Sequence, residues 1–178
     1  LDVAATEFFS EGKYEFDKKL ISGSELMEIY GKWIDEYPIL SVEDPFDEDD
    51  WFTWGLFTKH FGEKCQIVGD DLYVTQSERL LKGISNESSN SILIKPNQVG
   101  TVTETFESLK LAYDSDFSTV ISHRSGETSD VIISDLAVGS GAGQIKTGAP
   151  ARSDRTSKYN QLLRISEELN NFAKPFRR

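Results

Sequence analysis

The chain has 178 residues, 38% hydrophobic and 28% charged, which suits one soluble globular domain with a sizeable core. Its net charge of −11 argues against nucleic acid as the main partner, because phosphate binding requires Lys and Arg to displace counterions. A lone cysteine, Cys65, excludes an internal disulfide framework and a Cys-rich zinc site, and no apolar run is long enough to span a membrane.

Two histidines, His60 and His123, argue against a histidine-rich metal site, and a reducing cytosol suits the single thiol. No basic start followed by an apolar stretch marks a signal peptide. The first residue is Leu1, so an upstream segment is an open possibility.

Short apolar, β-branched runs alternate with amphipathic segments along the chain. Leu1 and Asp2 read as the end of a strand. Residues 24–37 place Leu26, Ile29, Tyr30, Trp33 and Ile34 at helical spacing, with Ser24 as the expected cap and Pro38 as the stop. Residues 39–43 form the clearest early strand, and residues 65–69 the next. Residues 78–84 and 103–113 predict helices, with a strand at 91–95 between them. A strand at 119–123, a helix at 129–138 and a strand at 144–147 follow, and Ser140 to Gly143 reads as a helix end and turn. The longest helix comes last, with Ser153 as its cap and Tyr159, Leu162, Leu163 and Ile165 toward a core. Residues 170–178 read as a loosely held tail.

Nearly continuous apolar strands alternating with helices predict a parallel sheet buried on both faces. Glu43, Asp70, Lys95, His123 and Lys146 each close an apolar run, 23 to 28 residues apart, about one βα unit each. In a (β/α)8 barrel all five, with Asp2, gather at the C-terminal mouth, where such barrels place their active sites. Six strands do not close an eight-stranded barrel, so the chain reads as incomplete, lacking two barrel strands and whatever precedes them.

Three of these strand ends, Asp2, Glu43 and Asp70, are hard oxygen donors of the kind magnesium takes alongside substrate. Lys95 and Lys146 face them. A lysine acts as a base only when neutral, and nearby positive charge, from metal or a second lysine, lowers its pKa. Two lysines and a divalent ion suit a substrate with several negative charges. Arg124 offers a planar fork for phosphate and Ser125 a hydroxyl donor. His123 on its own fits a hydrogen-bonded core residue as well as a site residue. Gly100 reads as a turn glycine. The glycines near 141 precede a strand instead of following one, which is the wrong context for a nucleotide loop.

The longer motifs match a known family. Ser41-Val42-Glu43-Asp44-Pro45-Phe46, Gly69-Asp70-Asp71-Leu72 and Lys95-Pro96-Asn97-Gln98-Val99-Gly100-Thr101 resemble enolase segments. So do Ser122-His123-Arg124-Ser125-Gly126-Glu127-Thr128, Gln144-Ile145-Lys146-Thr147-Gly148, Ser153-Asp154-Arg155 and the helix from Lys158 to Ile165. The similarity runs in one order from residue 1 to about residue 169. By it the chain is similar to the carboxy-terminal part of the enolase catalytic barrel, residues 1–169, with 170–178 as a tail.

The resemblance implies a glycolytic lyase, the magnesium-dependent and reversible dehydration of 2-phosphoglycerate to phosphoenolpyruvate. It implies Asp2, Glu43 and Asp70 as ligands of a structural Mg2+, with Asp2 near a free end. Lys95 and His123 are implied as catalytic residues, Lys95 as the base that removes the C2 proton. Arg124 and Ser125 are implied as phosphate binders, with His123 lining the same pocket. Lys146 is implied to contact the substrate carboxylate, and Glu43 and Asp70 to border the substrate. A cytoplasmic homodimer or higher homo-oligomer is expected of the full-length protein, with a secondary cell-surface presence open. The acid that helps expel the 3-hydroxyl, the amino-terminal domain and a loop for a second magnesium are expected upstream of Leu1, so the 178 residues alone are expected to be inactive. Residues 12–21 read as a loop shorter than in some relatives. The alternative function is a truncated, inactive piece serving as a binding surface. The terminal Arg177-Arg178, in place of a lysine, weighs against it.

Overall fold

A computed structural model describes residues 1–169 and Phe172; the expected tail, apart from Phe172, lies outside the described residues. Two sheets are present. The first is antiparallel, β1 (Phe9–Ser10), β2 (Lys13–Phe16) and β3 (Lys19–Ile21), in sequential order. The second is parallel, β4 (Ser41–Glu43), β5 (Gln66–Gly69), β6 (Ser91–Ile94), β7 (Ser118–Ser122) and β8 (Ile145–Lys146), also sequential. Asp2 adds a parallel bridge to Glu43, so the residue read as a sixth strand end takes its place beside β4. The helices are α1 (Gly23–Glu36), α2 (Trp51–Phe61), α3 (Ser77–Ser85), α4 (Pro96–Val99), α5 (Val102–Asp114), α6 (Ile132–Gly139) and α7 (Ser153–Glu168). The architecture is α/β, a curled five-stranded portion of a TIM-type barrel.

Residues 12–21 are not a plain loop. Each of the two hairpin turns, Glu11-Gly12 and Asp17-Lys18, has both central residues at positive φ, as type I′ turns require. Helix α1 begins two residues earlier than expected: Ser22, not Ser24, is the cap, and its hydroxyl and Glu25 form a reciprocal capping box. Helix α2 turns Trp51, Trp54, Phe57 and Phe61 to one side, but Leu56 and the exposed Phe52 lie on the other, which blurs the apolar stripe in the sequence. Asp50 caps it through Thr53 N–H at 3.2 Å. Helix α6 starts at Ile132, later than residue 129, because Thr128 and Asp130 accept the N–H groups of Asp130 and Ile132 in successive turns. In α7 Ser153 is the first helical residue rather than the cap, and Leu163 is exposed rather than turned to the core.

Side chains on the parallel strands alternate between two faces. Ile67, Ile92, Ile94 and Ile121 join the large core beneath the helices, while Val68, Leu93 and Val120 form a separate cluster on the opposite face. Two residues before that inner cluster lies a polar layer. Gln66 donates to Ser91 Oγ at 3.0 Å, Ser118 Oγ at 2.9 Å and Gln144 Oε1 at 2.7 Å. Two residues after it come Asp70, Lys95 and Ser122. The inner face therefore reads polar, apolar, then charged, from the N-terminal to the C-terminal ends of the strands.

The outer core centres on Phe46, which follows β4. Its ring makes edge-to-face contacts with Tyr14, Tyr30, Trp54 and Phe57, with centroids 5.4–6.2 Å apart. Gly69 is required by a close approach: a Cβ there would lie 2.6 Å from the Tyr73 ring. Tyr14 ties the antiparallel sheet to this core. Its hydroxyl donates to Asp50 Oδ2 at 2.8 Å and accepts from Asp47 N–H at 2.9 Å. Burial, the main cause, holds that phenol far above its ordinary pKa. Tyr14→Phe strands both partners and is expected to cost about 1–3 kcal/mol, read from the urea midpoint at constant slope.

Candidate active site

The charged inner layer sits at the C-terminal edge of the parallel sheet. In-register pairing brings its members together: Glu43 opposes Val68, Ile94 opposes Ile121, and Ser122 opposes Lys146. Lys146 Nζ lies 2.7 Å from Asp2 Oδ2 and 2.7 Å from Glu43 Oε1, joining the first and last elements of the sheet across its concave face. Lys95 Nζ pairs with Asp70 Oδ2, whose other oxygen is 3.4 Å from Gln98 Nε2. All six strand-end residues singled out from the sequence, Asp2, Glu43, Asp70, Lys95, His123 and Lys146, thus lie on one rim.

The electrostatics differ from the expectation for Lys146. Burial lowers its pKa, but the hydrogen bonds it donates to Asp2 and Glu43 outweigh that, and the net direction is upward. The lowering by neighbouring positive charge is not what dominates there. Glu43 moves upward as well, mainly through burial and against the pull of Lys146, with Asp2 and Asp70 adding repulsion. Buried carboxylates that also repel one another form a donor set that a hard divalent cation relieves, so the rim fits a divalent metal chemically.

Two residues outside the expected ligand set complete this corner. Carboxylate oxygens of Asp44, Asp70 and Asp71 all lie within 4.8 Å of one another. Asp44, however, faces inward. It is 3% exposed, and its two oxygens accept the Asp70 and Asp71 N–H groups, each at 2.9 Å. Its own N–H donates to Val68 O at 3.0 Å and its carbonyl accepts from Ala5 N–H at 3.1 Å. Its φ of 43° is a left-handed conformation that Asp tolerates better than most residues. Asp44 therefore joins the segments that carry Asp2, Glu43 and Asp70. The sequence signal for it was the pair of vicinal acids, Glu43-Asp44 and Asp70-Asp71, at adjacent strand ends.

The loop after β7 carries His123, Arg124 and Ser125, and α7 holds it from behind. Arg155 Nη1 donates to His123 Nδ1 and to Arg124 O at 2.9 Å, and Nη2 donates to Ser125 O at 2.7 Å. Lys158 is 1% exposed, yet its three protons find Glu127 Oε2 at 2.9 Å, Thr128 O at 2.5 Å and Asp154 O at 2.6 Å. Burial raises the Glu127 carboxyl, but Lys158 and the Arg124 N–H outweigh it and leave the value below the ordinary one. Arg124 reaches Asn97 Oδ1 at 3.5 Å, joining this loop to the one after β6. Glu127, Arg155 and Lys158 stood inside recognised motifs without a role, because only packing shows what lies behind the loop.

A curled parallel sheet with helical crossovers and paired charges along its C-terminal rim is the architecture of part of a TIM-type barrel domain. The chain belongs to the enolase family: residues 1–176 match the model described as Enolase, C-terminal TIM barrel domain. Over 169 residues it is 53% identical to a protein named Enolase from Elusimicrobium minutum (strain Pei191), covering 95% of this chain and 40% of that protein. The chain thus spans about two-fifths of the length of that relative. Among the described residues, no helix is long and apolar enough to cross a membrane.

Asp44 also generates a pH dependence. Burial, its largest influence, overcomes the backbone N–H bonds and lifts its carboxyl to about 8, against about 3.9 in an unfolded chain. A carboxyl raised on folding contributes stability that is complete below the unfolded value and is lost as pH rises through the folded one. Metal-free protein is therefore expected to lose stability from about pH 4 to about pH 8 from this group, and Asp44→Asn to flatten that decline. Urea midpoints across the range check it; parallel curves for the two proteins would contradict it.

Proposed function

We propose that the chain is the carboxy-terminal part of the catalytic domain of a lyase that dehydrates 2-phosphoglycerate to phosphoenolpyruvate, reversibly. The observation that carries the reading is the opposed pairing on one rim, Lys95 with Asp70 and Lys146 with Asp2 and Glu43. Removing a proton beside a carboxylate builds a second negative charge next to an existing one. The site must therefore supply positive charge where that charge develops.

Lys95, in its neutral amine form, is the base that takes the C2 proton, and the contact with Asp70 fixes its Nζ at the strand end. Lys146 receives the substrate carboxylate. Arg124 and Ser125 bind the phosphate, with His123 lining the same pocket. Asp2, Glu43 and Asp70 would hold Mg2+, which when bound supplies Lewis-acid stabilisation of the charged carboxylate. The buried positions of Glu43 and Asp70 keep that region from water, which strengthens each charge interaction within it. A cytoplasmic, homo-oligomeric full-length enzyme is part of the same reading.

Assay of the complete polypeptide by phosphoenolpyruvate absorbance is expected to show turnover that chelation abolishes. Lys95→Ala is expected to lower that turnover by about 10²–10⁴-fold, the usual contribution of a positioned base. Undiminished activity in the variant would remove Lys95 from its role. Residues 1–178 expressed alone are expected to have negligible activity, since the described strands do not close a barrel. Magnesium-dependent turnover by that purified piece would contradict this.

A further inference from the structure

The contact between α7 and His123 constrains the chemistry of the ring. A guanidinium carries only donors and stays protonated at any relevant pH. A nitrogen that faces it within hydrogen-bond reach must offer a lone pair. Nδ1 of His123 faces Arg155 Nη1 in this way. The second Nη1 proton goes to Arg124 O at 2.9 Å, so neither proton of that nitrogen is left to turn elsewhere. The Nη2 bond to Ser125 O at 2.7 Å fixes the plane of the fork.

Packing keeps the two groups in place. Gly148 leaves just enough room: a Cβ there would lie 3.0 Å from Arg155 Cδ and 3.2 Å from His123 Cε1. Below the same loop, Lys158 binds Glu127 and Thr128, so the backbone on which His123 stands has a second anchor. The backbone N–H of His123 itself donates to Lys146 O at 2.9 Å.

We infer that Arg155 is a positioning residue that holds His123 as a neutral imidazole with its proton on Nε2. Resting on the assignment of His123 to the substrate pocket, this makes the histidine a fixed hydrogen-bond donor toward an anion, not an acid or base that exchanges protons near neutrality. Adding a proton to the ring would place Nδ1–H against the guanidinium. The charged groups around the ring act in the same sense with one exception. Arg155 on α7, Lys146 on β8 and Lys95 after β6 oppose a second proton, as does burial, the largest influence, and Glu127 in the loop favours one. The same guanidinium also sets the carbonyls of Arg124 and Ser125, so one side chain orients the three neighbouring residues proposed to meet the phosphate end.

Nitrogen-15 spectra of the imidazole groups test this without substrate or turnover, with His123→Gln to assign the signals. The expected wild-type spectrum shows Nδ1 unprotonated and Nε2 protonated, with no titration of His123 near its ordinary value of about 6.5. In Arg155→Met the midpoint is expected to rise toward that value and Nδ1–H to become detectable, and Arg155→Lys to return the midpoint part of the way. A wild-type ring protonated at Nδ1, or titrating near 6.5, overturns the inference even if Arg155→Met does not fold. An unchanged midpoint in a folded Arg155→Met protein also overturns it. Loss of the lyase reading alone would leave the tautomer result standing, because the spectra do not depend on activity.

Discussion

The constraint on which the rest depends is the two-residue period of a strand buried on both faces. On β5 and just after it, Gln66, Val68 and Asp70 point inward while Ile67 joins the core beneath the helices. The same parity holds for Ser91, Leu93 and Lys95 after one crossover, and for Ser118, Val120 and Ser122 after the next. Parallel register then turns separate strands into continuous inner layers. A shift of one residue in any strand would send its charged end into the apolar core beneath the helices. The site is therefore held by the same regularity that holds the fold.

Glu43, Asp70 and Lys95 are largely buried on this rim and require compensation, which pairing supplies. Lysines from the later strands meet carboxylates from the earlier ones, so opposite charges neutralise each other across the concave face. Leaving one partner alone would expose a poorly solvated charge, which costs more than the pair itself contributes. The net charge of −11 thus says little about this surface. Much of the acidity lies elsewhere, and in the site what matters is which carboxylates lack a full share of a cation.

A second layer of polar residues prepares the first. Asp44 spends both carboxylate oxygens on the backbone of the next strand end, and Lys158 spends all three protons on loop and helix acceptors. Lys158 has no proton left for a ligand. The buried polar atoms of both residues are satisfied, which is the condition for such groups to remain stable where water is excluded. The acid at position 44 and the base at position 158 perform the same task on opposite sides of the site, one orienting carboxylates and the other a loop that carries cations and hydroxyls.

The alternation of apolar runs and amphipathic segments, together with polar residues closing each run, was enough to place Glu43, Asp70, Lys95, His123 and Lys146 on one rim. Those features are local, and a two-residue period and the length of a βα unit carry them. The family motifs were legible because they are contiguous. The hairpins of residues 9–21 and the aromatic helix α2 were not, because neither shows a clean apolar stripe and both take their form from packing on Phe46 and Tyr14. Nor could a linear reading give Lys146 its upward direction, Asp44 its inward aim or Arg155 its hold on His123. Each of these is a meeting of residues far apart in the chain, 103 positions in the case of Lys146 and Glu43. Local periodicity is enough to bring these side chains to one rim. Their partners, and so their charge, come from the folded arrangement, because hydrogen bonds and burial depend on what lies across the space between strands.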